Sequence, residues 1–124
     1  MKLVKTHRDL SVYKLSFDSG MKVFELSKSF PKSETYSLTD QIRRPSRPVC
    51  ANISEDFRKR KYPKSFSNKL NESEAEAGET QNWLDFSLAC GYISKEIHRK
   101  LDNEYDNIIG MLVNMQKYPG KWSI

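Results

Sequence analysis

Basic side chains form the most prominent chemical pattern in the sequence. Three arginines occur within a segment whose apolar residues recur at helical spacing, and a second basic group with a tyrosine inside it follows between residues 58 and 64. Such side chains can neutralise phosphates while an aromatic ring stacks on a base, as in proteins that bind single-stranded nucleic acid. The candidate nucleic-acid-binding residues are Arg43, Arg44, Arg47, Arg58, Lys59, Arg60, Lys61, Tyr62 and Lys64.

The same charges also allow a purely structural interpretation. Asp40 lies at helical spacing from Arg43 and Arg44 and could pair with either. Residues 70–94 contain acidic side chains but no lysine or arginine, so the basic group of one subunit could meet the acidic segment of the next. The acidic candidates for that contact are Glu72, Glu74, Glu76 and Glu79. Nucleic-acid binding and a charge-paired scaffold without nucleic acid both remain open.

Four polar residues lie beside apolar helical positions. They are Asn52, Glu55, Glu79 and Gln81. A di-metal site in a helical bundle needs several inward carboxylates together with Glu-x-x-His pairs, but Arg58 follows Glu55 at i+3, and neither His7 nor His98 has a glutamate three residues before it. We therefore expect these residues to form a buried hydrogen-bond network that sets helix register, with no metal and no cofactor.

The two cysteines do not indicate catalysis. Cys50 and Cys90 lie within apolar patterns, so we expect buried free thiols rather than a disulfide. Cys50 and His98 could be imagined as a nucleophile pair, yet no glycine-rich loop or third orienting group accompanies them. The sequence therefore predicts a protein that is not an enzyme.

Four periodic segments must position these side chains. They predict a single domain over residues 1–124 with helices at 9–30, 37–60, 63–90 and 94–117. Asp9 and Ser94 are candidate N-caps, and Gly91 is a candidate C-terminal cap. The apolar stripe expected on the first helix comprises Leu10, Tyr13, Phe17, Met21 and Phe24, with Val23, Leu26 and Phe30 beside it. Short connections favour antiparallel neighbours, so the expected fold is an all-α, antiparallel up-down-up-down four-helix bundle.

Two features go beyond a simple bundle. Pro45 and Pro48 lie inside the second helix, where each removes a backbone donor and favours a kink. On and just after the third helix, Trp83, Phe86 and Tyr92 widen the apolar sector. A wide apolar sector on a small bundle indicates a surface that another subunit covers, so we expect self-association.

The composition predicts a water-soluble protein. The net charge is +5, the hydrophobic content is 37% and the mean hydropathy is −0.73. No apolar run approaches the length of a membrane span, and residues 1–10 contain no apolar segment typical of a signal peptide. A cytoplasmic location without membrane contact is the expectation.

Three motifs resemble a known bacterial family. They are L-T-D-Q-I-R-R at residues 38–44, A-N-I-S-E at 51–55 and E-T-Q-N-W-L-D at 79–85. Together they resemble the four-helix-bundle proteins encoded in intervening sequences of large-subunit ribosomal RNA genes, which are often labelled ribosomal proteins. This family is related to the accessory protein of diversity-generating retroelements. The resemblance covers the chain from about Asp9 to Leu112. The sequence departs from the family pattern at Pro45, near Arg47 and at Asp56, and the family commonly has glycine at the position of Asp56.

The resemblance implies an antiparallel bundle that assembles into a homopentameric ring. It also implies association with RNA or DNA, or with a protein of a ribonucleoprotein complex. Combined with the residue patterns, it predicts a non-enzymatic homo-oligomer that acts as a nucleic-acid or ribonucleoprotein accessory module.

Overall fold

The protein folds as four α-helices connected by short turns. The computed structural model describes residues 4–118. The helices are α1 (Ser11–Ser27), α2 (Leu38–Phe57), α3 (Pro63–Ala89) and α4 (Lys95–Lys117), with short 3₁₀ turns at His7–Asp9 and Lys32–Glu34. The described residues contain no strand, and none of their helices is long and apolar enough to cross a membrane. The predicted all-α fold with four helices is confirmed.

The helices form a bundle in which each one packs against the next and α1 packs against α4. Near the beginning of α1, the thiol of Cys50 on α2 donates to the Tyr13 carbonyl at 3.9 Å. At the end of α1, Arg43 near the beginning of α2 donates to Ser27 at 2.8 Å. The beginning of α1 therefore lies beside the later part of α2, and the end of α1 lies beside the beginning of α2. In the same way, the end of α3 lies beside the beginning of α4, and the end of α4 lies beside the first half of α3.

The core is built from helical stripes of apolar side chains. On α2 it contains Ile42, Val49 and Ile53, which are at most 1% exposed. On α4 the buried residues step by four, three, four and three, as the 3.6-residue period of a helix requires. They are Leu101, Tyr105, Ile108, Leu112 and Met115.

The predicted apolar stripe of α1 is wrong beyond its first residue. Leu10 is buried, but Phe17 and Met21 are 54% and 44% exposed, and Tyr13 and Phe24 are only half-buried. Val23, which was expected beside the stripe, is buried, and the rest of the buried face of α1 consists of small side chains, namely Val12, Ser16, Ser19 and Ser27. Small residues let neighbouring helices approach closely, and buried serines can bond to the backbone of their own helix, as Ser16 does to the Val12 carbonyl at 2.6 Å. A row of large apolar side chains is therefore left on the outer face of α1.

The predicted helix ends are correct to within three residues. Ser94 caps α4 by accepting from the backbone N–H of Ile97, and Gly91 has φ +77° after α3, as predicted. Asp9 is not the N-cap of α1, because it forms a capping box with Thr6 in the preceding 3₁₀ turn. Leu10 takes the N-cap position without a side-chain hydrogen bond.

The prolines lie inside a continuous helix, and one cysteine differs from its expectation. The helix α2 runs without a break from Leu38 to Phe57 through Pro45, which is buried, and Pro48, which is half-buried. Both cysteines are free thiols as predicted, with Cys50 half-buried. Cys90 is exposed, contrary to the prediction, because it is the C-cap of α3 at the edge of the bundle.

Candidate nucleic-acid interface

The turn between α2 and α3 carries exposed basic side chains at one end of the bundle. Arg58, Lys61 and Lys64 are exposed, and none of them belongs to an ion pair among residues 4–118. Tyr62 is 58% exposed, and the ammonium of Lys61 lies 5.3 Å from the centre of its ring. The turn therefore presents positive charge and an aromatic face together to solvent.

Two other basic residues of this turn have partners within the protein. The Arg60 guanidinium lies 3.7 Å from the centre of the Phe57 ring and donates to the Phe57 carbonyl at 2.8 Å. Lys59 pairs with Glu55 at 3.3 Å. Arg60 thus covers the end of the core and shapes the turn, whereas the charge of Lys59 is partly compensated.

A second segment adds positive charge to the same end of the bundle. The 3₁₀ turn before α1 places His7 close enough to Arg8 and Arg58 that their charges lower the pKa of its imidazole, after the larger effect of burial. Arg8 is itself exposed. We use the term basic end for the surface formed by Arg8, Arg58, Lys61, Tyr62 and Lys64. Arg8 and Arg58 are 50 positions apart in the sequence and both act on His7, so local sequence patterns give no signal for Arg8.

The three arginines of α2 do not act as one group. The half-buried Arg43 donates to Ser27 at 2.8 Å and lies 4.9 Å from the centre of the Phe24 ring, so it holds α1 and α2 together. Arg44 pairs with Asp40 at 2.8 Å, as the structural interpretation anticipates. Arg47 lies 5.4 Å from the Phe24 ring and is exposed.

An apolar groove of about 300 Å³ lies between the outer face of α1 and α2. Its lining includes Tyr13, Phe17, Met21, Phe24, Arg47 and Cys50. Ala51 and Ser54 continue this lining along α2, and Arg58 follows Ser54 at i+4 on the same helical face. A rise of 1.5 Å per residue places the backbones of Arg47 and Arg58 about 16 Å apart, so the groove leads from Arg47 towards the basic end.

The predicted buried polar network is absent from the described residues. Glu55 and Glu79 are exposed, while Asn52 and Gln81 are half-buried. Glu55 pairs with lysines, Glu79 accepts from Trp83 at 3.4 Å, and Gln81 bonds to α4 instead of to the other three. Glu55 follows the buried Ile53 by two residues, about 200° around the helix, and therefore points away from the core.

The buried ionisable residue of α2 is Asp56, which the sequence interpretation missed. It is 0% exposed, and neither carboxylate oxygen has a hydrogen-bond partner. Burial raises its pKa to about 7, although Lys59 and Lys69 act in the opposite direction. A signal was available, because Asp56 follows the core residues Val49 and Ile53 at i+7 and i+3.

The acidic segment of α3 is only partly engaged within the subunit. Glu72 pairs with Lys69 at 3.1 Å, and Glu74 accepts from Gln116 at 2.9 Å. The pKa of Glu76 is raised, mainly by burial and further by the carboxylates of Glu79 and Glu72. Negative charge therefore accumulates around Glu76.

The aromatic residues near the end of α3 are partly accessible. Phe86 is 52% exposed and its ring lies 5.5 Å from that of the half-buried Trp83. Tyr92 donates to Glu34 at 2.7 Å and packs against Phe30, so it closes the end of the bundle. Phe86 and Trp83 thus add a second apolar surface to that on α1.

These features define a small four-helix bundle with a basic end and an exposed apolar helix face. The sequence model of the 23S rRNA-intervening sequence protein family matches residues 8–114, so the chain belongs to this family. The membership predicted from the three motifs is confirmed.

A solved structure has the same fold. It is a protein of unknown function from the S23 ribosomal protein family of Bacteroides thetaiotaomicron, 26% identical to this chain. The TM-score is 0.76, and the similarity covers 86% of this chain and 95% of the other. No curated protein matches the chain.

Proposed function

We propose that the protein is a non-enzymatic, homo-oligomeric accessory module that binds nucleic acid through its basic end. The observation that supports this proposal best is the group of exposed cations formed by Arg8, Arg58, Lys61 and Lys64. Because the last three have no ion-pair partner within the described residues, phosphate contact would break no internal salt bridge. The family description, which refers to 23S rRNA, makes RNA the first ligand to test.

The proposed mode of binding is contact with the phosphate backbone. Flexible lysines and arginines on a convex turn neutralise phosphates but read little sequence. The exposed ring of Tyr62 is available to stack on an unpaired base, which favours single-stranded segments and loops over continuous duplex. Arg43 is excluded from this role because its guanidinium is engaged with Ser27 and Phe24.

A matched pair of triple variants tests the basic end. In the test variant, Arg58, Lys61 and Lys64 are replaced by glutamine. In the control, the exposed Lys32, Lys95 and Arg99 at the opposite end are replaced by glutamine, which changes the net charge equally. Binding of fluorescent single-stranded RNA is followed by anisotropy over a range of salt concentrations.

We expect the test variant to bind weakly and the control to bind like the wild type. Loss of three phosphate contacts on a single strand should reduce the slope of log K against log salt by about 2. Absence of binding by the wild type at low salt would refute the proposal. Equal weakening in both variants would show that net charge, and not the basic end, attracts the RNA.

The outer face of α1 is the proposed surface for self-association. Phe17 and Met21 lie one turn apart and are about half-exposed beside the α1–α2 groove. A contiguous apolar surface of this kind is typical of a subunit contact. A Phe17→Glu variant should give a smaller species in light scattering, whereas a Tyr36→Glu variant at a fully accessible position should not. An unchanged oligomer in Phe17→Glu would exclude this face.

A charge-paired scaffold without nucleic acid is the second candidate function. It is favoured by the accumulation of carboxylates around Glu76, which would attract the basic end of a neighbouring subunit. Replacing Glu76 and Glu79 by glutamine should then reduce the oligomer mass, as should high salt, because exposed charge pairs are screened. If neither change affects the mass, charge pairing does not hold the assembly together.

A further inference from the structure

Three side chains that commonly ligate metals converge where the end of α3 meets the beginning of α4. Asp85 on α3 and His98 and Asp102 on α4 each offer one ligand atom, and these atoms all lie within 4.8 Å of one another. His98 and Asp102 are four residues apart, one helical turn, so they lie on the same face of α4. His98 Nε2 lies 2.8 Å from Asp85 Oδ1.

The surroundings of these residues favour a cation. Asp102 is half-buried. Among residues 4–118, no lysine or arginine forms an ion pair with Asp85, Asp102 or Asp106. Two carboxylates thus lie beside one imidazole, and no lysine or arginine pairs with them within residues 4–118.

A neighbouring amide orients the group. Gln81 on α3 donates to Asp106 at 2.8 Å and to the backbone carbonyl of Asp102 at 3.3 Å. Hydrogen bonds of this kind commonly hold metal-ligating side chains in position.

We propose that Asp85, His98 and Asp102 bind a divalent transition-metal ion, with Zn²⁺ as the best-fitting class. One imidazole nitrogen with two carboxylate oxygens suits Zn²⁺ and similar ions, whereas Mg²⁺ and Ca²⁺ prefer oxygen ligands alone. Bond lengths of about 2.0–2.2 Å place the ligand atoms about 3.3 Å apart around a tetrahedral ion. Asp85 is exposed, so its side chain can adjust to that spacing as the ion replaces the His98–Asp85 hydrogen bond.

Such an ion would connect α3 to α4 beside the loop that joins them. With three protein ligands, the remaining coordination position is open to water. The site lies on a different surface from the basic end and is independent of nucleic-acid binding. This proposal differs from the expectation, drawn from the sequence, of a chain without a metal site.

Calorimetric titration of the full chain with zinc chloride tests the proposal, together with the visible spectrum of the cobalt-loaded protein. We expect one ion per chain for the wild type and at least about tenfold weaker binding for His98→Ala, Asp102→Asn and Asp85→Asn. The matched control is His7→Ala, because His7 is the other histidine of the chain and should not affect affinity. Asp85→Asn changes an exposed side chain, so it remains informative if a variant of a half-buried residue fails to fold.

The exposed thiol of Cys90 is the competing zinc ligand in this region, and Cys90→Ser separates the two possibilities. We expect unchanged affinity in Cys90→Ser and no thiolate-to-cobalt charge-transfer band in the wild type. Absence of zinc binding by the wild type would overturn the proposal. Undiminished binding in the ligand variants, or loss of binding in Cys90→Ser, would also overturn it.

Discussion

Replacing Asp56 by asparagine should stabilise the protein at neutral and alkaline pH and have little effect at acidic pH. Asp56 lies in the core at 0% exposure, and both of its oxygens lack a partner. Asparagine has nearly the same shape as the protonated carboxyl but cannot ionise. The substitution therefore removes the cost of burying a negative charge and leaves the surrounding packing in place.

The size of the effect follows from the pKa. Burial raises the pKa of Asp56 from 3.8 to about 7 in the folded chain, while the unfolded chain keeps the ordinary value. Between these values the folded state holds a proton that the unfolded state has lost, so the free energy of unfolding falls as pH rises. A difference of about three pH units at 1.36 kcal/mol each corresponds to about 4 kcal/mol above pH 7.

Urea unfolding at pH 4, 6 and 8 measures the effect, with the protein concentration held constant because self-association would also change stability. The stability difference between Asp56→Asn and wild type should be small at pH 4 and increase up to pH 8. Glu55→Gln is the control. Glu55 is exposed, and its pKa is lowered, chiefly by a hydrogen bond from Lys59. The Glu55→Gln substitution should therefore not stabilise the protein at any pH.

A stability difference that is the same at pH 4 and pH 8 would refute this reasoning. It would show that the Asp56 carboxyl does not change its protonation between the folded and unfolded states in this range. A destabilised Asp56→Asn variant at pH 8 would show that the ionised carboxylate has a stabilising partner.

Substitutions at three further positions test individual contacts of the bundle. Gly91→Ala should destabilise by about 1 kcal/mol, because φ +77° strains any residue with a Cβ; an unchanged melting temperature would contradict this. Ser94→Ala should cost about 1 kcal/mol in urea unfolding by removing the N-cap of α4, and Ser94→Thr should restore most of it. Arg43→Gln should cost about 1–2 kcal/mol by removing the contacts with Ser27 and Phe24, yet leave RNA affinity within about twofold of wild type. A large loss of RNA affinity would place Arg43 in the binding surface.

The candidate site was only partly predictable from sequence. The group between residues 58 and 64 is contiguous, so its charges and its tyrosine are visible in the sequence. Whether a cation is available to a ligand depends on its neighbours, and Arg60 and Arg43 are occupied by contacts with aromatic rings and polar groups that no spacing rule reveals. The approach of Arg58 to His7, and of Asp85 to His98, requires the folded chain.

The sequence by itself determined the number of helices, their approximate ends and the family. Apolar periodicity, capping residues and the three motifs are local properties of the sequence, so they do not depend on how the helices pack. They could not decide which side of α1 faces the core. Periodicity favoured the side with Tyr13, Phe17 and Met21, because those side chains are the more apolar ones.

The tertiary structure placed the smaller residues of α1 inside, since closely packed helices accept Ser16 and Ser19 where large rings would not fit. The aromatic side of the helix was thereby left at the surface. In the same way, packing placed Asp56 in the core and brought Asp85, His98 and Asp102 together. Burial and contacts between helices depend on how whole faces fit each other, and that fit is decided only when all four helices are in place.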